Sequence, residues 1–123
     1  MTRTRLEILQ WFALFAGPLA WAAQHVVGYG MSEAGCHVAG AQWGLDVATL
    51  QIVVAALAGA VVVAAEGAAY AVFRATNGVD RDAPGPAGRL RFFAQAALVG
   101  NALVLVVVVL DTVATVYWLP CSS

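Results

Sequence analysis

There is no lysine in this sequence: the six basic residues are all arginine, charged residues make up only 11% of the 123 positions, and the formal net charge is -1. With a pI near 6.0 and no stretch that interleaves basic and aromatic residues, nothing here would neutralise phosphates or stack bases, so a nucleic-acid-binding role is excluded. Cysteine is scarce too, with Cys36 and Cys121 the only two, and histidine is limited to His25 and His37. There is no CxxCH haem-attachment motif, no HExxH metal pair, no glycine-rich phosphate loop and no nucleophile-base-acid set. His25 falls in a helix and His37 in a loop, which sets them badly for clasping one iron from opposite sides. No catalytic constellation and no protein-held cofactor is expected.

What the chain has in abundance is apolar surface. Hydrophobic residues account for 62% of it and the mean hydropathy is +0.81, which places it among membrane proteins. The longest run, Val47 to Phe73, exceeds what a helix of a water-soluble domain needs and is read as a span with some tilt. On either side lie two further apolar segments, giving an all-α membrane protein with helices over residues 6–31, 45–74 and 90–119 in one domain. A secretory signal peptide competes for the first segment, since Ala20-Trp21-Ala22 follows a basic start; we expect a retained helix, kinked at Gly17-Pro18, with Trp11 and Trp21 facing lipid or the interface. Residues 32–44 then form one loop and 75–89 another, the latter marked by Asn77-Gly78 and Pro84-Gly85-Pro86. Tyr117-Trp118 anchors the third helix at an interface, and Pro120 stops it.

Orientation is read from the arginines. Arg3 and Arg5 precede the first span and Arg74, Arg81, Arg89 and Arg91 flank the second loop, while the first loop and the carboxyl terminus carry none. By the positive-inside rule the amino terminus and second loop are cytoplasmic, and the first loop and carboxyl terminus lie outside.

Within the middle span, Ala55 with Gly59, Ala60 with Ala64, Ala64 with Ala68, and Gly67 with Ala71 are small-xxx-small pairs that allow close helix packing in lipid. Glu66 stands among them, an ionisable group that needs a partner, water or a proton. Laying the helices antiparallel at about 1.5 Å per residue puts His25, Gln51 and Asp111 at one depth, and Glu66 and Asn101 at another. These five are expected to be buried. Mutual satisfaction, His25 with Asp111 and Glu66 with Asn101 or a partner subunit, is the plainer expectation; a proton path or ligand cleft is the other.

Cys36 and Cys121 both fall on the outer side in this topology, where a disulfide from the first loop to the end of the third helix is the leading reading. A Cu(I) site of Met31, Cys36, His37 and Cys121 is a second, and free thiols a third.

The segment GPLAWAAQ, Gly17 to Gln24, with Tyr29, Cys36, Asn101 and the terminal Pro120-Cys121, resembles small three-helix membrane proteins encoded alongside bacterial haem-copper cytochrome c oxidase subunits. That resemblance implies an accessory subunit or assembly partner of a respiratory oxidase or a supercomplex containing one, in the bacterial cytoplasmic membrane, with haem and copper held by the partner complex. Glu66 and Asp111 depart from the family's pattern, so no role passes to them. Three functions are expected in order: a non-catalytic accessory subunit contacting other membrane subunits and lipid; a copper-handling assembly factor; a small homo-oligomeric transporter or proton channel built on Glu66.

Overall fold

A computed structural model describes residues 2–35, 47–80 and 82–117. These form three helices, α1 (Arg3–Gly35), α2 (Val47–Ala75) and α3 (Pro86–Tyr117), with no strand among the described residues. All three are long and apolar enough to cross a membrane. At 33, 29 and 32 residues they exceed the roughly 20 residues a bilayer core requires, so they tilt or project from it.

Each helix outruns or shifts the expected bounds for a local reason. α1 continues through Pro18 and on to Gly35, because Ser32-Glu33-Ala34 contains no residue that breaks a helix. The start of α3 moves back to Pro86, whose missing N–H is harmless in a first turn and whose fixed φ suits a helix. Gly85 precedes it at φ 85°, and Gly78 turns the chain at φ 86°; both conformations are costly for residues with a Cβ. Gly88 is also required here, because a Cβ on it would run into the Ala83 carbonyl.

Every pair of helices is in contact. Residue pairs fix the directions: Glu7 meets Arg89, Ala13 meets Asn101 and Trp21 meets Asp111, so α1 and α3 run parallel. Gln51 meets Gly28 and Phe73 meets Arg91, so α2 runs antiparallel to both. The five described arginines therefore cluster at one end of the bundle, and the polar residues near 25, 51 and 111 collect toward the other.

The core is built of alanine and valine. α2 buries Ala55, Ala58, Val62, Ala65, Ala69 and Val72, alternating steps of three and four that keep one stripe facing inward. Ala13, Ala68, Ala69 and Ala97 form one cluster, and Val72, Leu90 and Ala94 another beside the arginine end. Small side chains let these backbones approach closely, which in lipid gains more than bulk would.

That stripe corrects the expected packing set. Ala55 and Ala68 are buried and Gly59 half-buried, but Ala60, Ala64 and Gly67 are exposed. The pairs at i and i+4 sit at several positions around a helix that is apolar on all sides, so spacing alone does not say which of them faces inward.

Candidate functional site: a polar cleft at the arginine-free end

α1, α2 and α3 enclose a cleft of about 270 Å³ lined by Gln24, His25, Tyr29, Gln51, Val54 and Asp111. Each polar side chain arrives by helical spacing. Trp21 and His25 are one turn apart on α1, with ring centroids 5.3 Å apart, and both turn toward Asp111 of α3. Trp21 Nε1 donates to Asp111 Oδ2 at 3.3 Å, and His25 Nδ1 lies 3.5 Å from the same oxygen. From α2, Gln51 Nε2 donates to the Gly28 carbonyl at 2.9 Å, tying that helix to α1. Gln24 Oε1 is enclosed and accepts no hydrogen bond among the described residues.

The structure brings His25, Gln51 and Asp111 to one level, as the depth argument expects. They are not buried by the chain itself, however: the His25 side chain is 60% exposed and that of Asp111 32%. A three-helix bundle is too thin to enclose more than a narrow axis, so residues off that axis look outward. The indole N–H of Trp21 is committed to Asp111 and its ring is half-buried.

At the second level the expected pairing of Glu66 with Asn101 does not form. Asn101 is 2% exposed and donates Nδ2 to the Ala13 carbonyl at 2.8 Å. Gly17 makes room for it, because a Cβ there would collide with Asn101 Oδ1. Glu66 is left partly covered and forms no hydrogen bond or ion pair among the described residues.

The glycine of the GPLAW element is thus a close-contact position between α1 and α3, a role the proline beside it hides in the sequence. Gln10, Gln24 and Gln95 were the functional candidates that sequence reasoning passed over. Their signal was the same as that of Gln51, an amide within an apolar span.

Two apolar grooves run between the helices. One, of about 250 Å³ between α1 and α2, shares Gln24 and Val54 with it and continues along Ala20, Val27, Leu57 and Val61. The other, of about 370 Å³, lies between α2 and α3 along Ile52, Gly59 and Val108. Among the described residues no group of three or more His, Cys, Asp or Glu side chains is arranged for a metal. Cys36, His37 and Cys121 lie outside the described residues, and with them the disulfide and the copper set that adds Met31. No protein-family model, curated protein or solved structure matches the chain.

Proposed function

We propose that this protein is a non-catalytic subunit that packs on a larger complex in the bacterial cytoplasmic membrane. In this reading its arginine end is cytoplasmic and its polar cleft and carboxyl terminus lie toward the outside. One observation supports the reading above others, a stripe of small residues on the outward side of α2. α1 presents Ile8, Phe12, Phe15 and Leu19 outward, and α3 presents Val99, Leu103, Val106 and Leu110, bulky surfaces suited to lipid chains. α2 also exposes Ile52, Leu57, Val63 and Tyr70, but between them runs a stripe of small residues, Ala56, Ala60, Ala64 and Gly67. Such a face gains little from lipid and much from a close-packed helix. Half-covered Glu66 beside it adds to this, because a partner helix would relieve the cost of holding an ionisable group in hydrocarbon.

A haem-copper cytochrome c oxidase, or a supercomplex containing one, is the partner to test first, on the resemblance carried by GPLAW, Asn101 and Pro120-Cys121. Haem and copper belong to that complex in this reading and none to this chain alone. The test is gentle solubilisation of native membranes, isolation through a tag on the amino terminus, and a reduced-minus-oxidised haem spectrum of what co-purifies. Oxidase subunits and haem in fixed proportion support an accessory subunit. A haem-free homo-oligomer overturns it in favour of a small transporter dependent on Glu66. Loss of oxidase copper when Cys36 and Cys121 become serine, with the complex otherwise assembled, overturns it in favour of copper handling.

A further inference from the structure

We propose that the seam between α1 and α3 at the arginine end seats an anionic phospholipid, with its phosphate on Arg3 and Arg89 and an acyl chain along the rings of Trp11 and Phe15. This goes beyond docking on a complex and does not depend on it, since the seam lies on α1 and α3 and not on the small-residue stripe of α2.

Helical spacing builds the seam from two rows. On α1, Arg3, Glu7, Trp11 and Phe15 follow one another at one turn each, and on α3 Arg89 and Phe93 do the same. Two contacts hold the rows side by side: Arg89 Nη2 donates to Glu7 Oε1 at 2.9 Å, and the Phe93 ring lies 6.4 Å from that of Trp11. Guanidinium groups therefore stand directly above aromatic surface on one side of the bundle.

The charged part is under-compensated. Arg3 Nε lies 3.7 Å from the same Glu7 oxygen, so two cations share one carboxylate and one positive charge is left over. Both side chains are open to a ligand, at 66% and 48% exposed. The bond to Glu7 uses one of the five N–H donors of Arg89, whose guanidinium has no other partner among the described residues, and a free guanidinium edge matches a phosphate. The neighbouring cations are engaged elsewhere, Arg74 on the Tyr70 hydroxyl and Arg91 on the Phe73 carbonyl. Six arginines against Glu7, Asp80 and Asp82 also leave this end of the chain with three excess positive charges, which draws an anion to it.

The apolar part says what kind of anion. Trp11 and Phe15 stack at 5.6 Å, within 7° of parallel, and both are half exposed, as is Phe92, which packs on Phe93 at 5.6 Å. Charged side chains stay at the water boundary of a bilayer, so Arg3, Glu7 and Arg89 mark that boundary, and rings one and two turns beyond Glu7 fall among acyl chains. A soluble acidic partner would meet the charge and leave these rings uncovered. A phosphodiester carrying acyl chains meets both.

The test uses the full chain in a neutral detergent, titrated with phosphatidylglycerol brominated partway down its acyl chains. Bromine quenches a nearby indole, and subtracting the signal of Trp11→Phe, which keeps an aromatic ring, isolates Trp11 from the other tryptophans. Saturable quenching of Trp11 is expected, at a half-point raised about fivefold by Arg3→Gln or by Arg89→Gln and unchanged by Arg5→Gln. Arg5→Gln removes the same charge from the opposite side of α1, so an equal effect there overturns a defined seat in favour of diffuse attraction. Equal quenching by brominated phosphatidylcholine, whose phosphate is neutralised by its own choline, overturns the anionic headgroup. Displacement by glycerophosphoglycerol, the headgroup without its chains, at the same concentration as the intact lipid overturns the role of the rings. The brominated lipids on the unaltered chain need no arginine variant, so the preference for phosphatidylglycerol is read even where a substitution disturbs the fold.

Discussion

Gln10 is the residue whose chemistry fits its surroundings least. It is 1% exposed within the arginine-end half of the bundle, and neither its Oε1 nor its Nε2 has a hydrogen-bond partner among the described residues. An enclosed amide without partners costs about 1–3 kcal/mol, whereas an apolar side chain of similar shape carries no such penalty. Gln10→Leu is therefore expected to stabilise the bundle by about that amount. Thermal unfolding in detergent measures it, and a fall in midpoint would mean that Gln10 has a partner. Asn101 is the opposite case, an amide fully seated against Ala13 through the space that Gly17 leaves. Gly17→Ala places a methyl into Asn101 and is expected to cost about 1–3 kcal/mol, the range for overpacking a well-filled core. Asn101→Ala in the Gly17→Ala background should recover much of the loss, because it removes the collision. If the double variant is no better than the single one, the close contact is not the cause.

At the scale of the element, α2 has two distinct faces and an anchored end. Its inward stripe from Ala55 to Val72 builds the core, and its outward stripe from Ala56 to Gly67 stays free for another helix. Gly67→Leu and Ala60→Leu should leave the melting of the isolated chain nearly unchanged, since no atom lies within 4 Å of a Cβ at Gly67 and Ala60 is exposed. The same changes should abolish co-purification of the partner. A destabilised isolated chain would show instead that this face packs internally. Where α2 ends, Arg91 from α3 donates to the Phe73 carbonyl at 2.6 Å and lies over the Phe73 ring at 3.7 Å, while the Thr76 hydroxyl donates to the Val72 carbonyl at 2.8 Å. A cation at a helix carboxyl end satisfies exposed carbonyls and the dipole together. Arg91→Ala is expected to cost about 1–2 kcal/mol and to speed amide exchange around Thr76. Its neighbour Arg89, paired with Glu7 at 2.9 Å on the surface, should matter less, by under about 1 kcal/mol for Glu7→Gln.

The molecule as a whole is a thin bundle with its positive charge at one end and an acidic and amide-rich cleft toward the other. A three-helix bundle of this length cannot enclose five polar groups, and only Asn101 of the expected five is fully covered. Glu66→Gln separates two consequences of that thinness. For a packing subunit it should leave assembly and respiration close to normal, and for a transporter it should abolish flux, which a proteoliposome assay reads directly.

Number of spans, helical class and the single-ended placement of arginine were legible in the sequence, because they depend on local composition: an apolar run long enough to cross a bilayer has to be a helix there. The depth match of His25, Gln51 and Asp111 was legible too, since helical rise is fixed and the helices had to alternate in direction. Rotation of each helix about its axis was not, because a helix apolar on every side gives periodicity nothing to grip. That rotation turned Ala60, Ala64 and Gly67 outward, set Gly17 against Asn101, and drew Trp21 in to Asp111. The sequence by itself determined the three helices long and apolar enough to cross a membrane and where along them the polar groups lie. Only the tertiary structure decided which groups meet, because in lipid the choice rests on close contact between backbones and side chains, which composition does not encode.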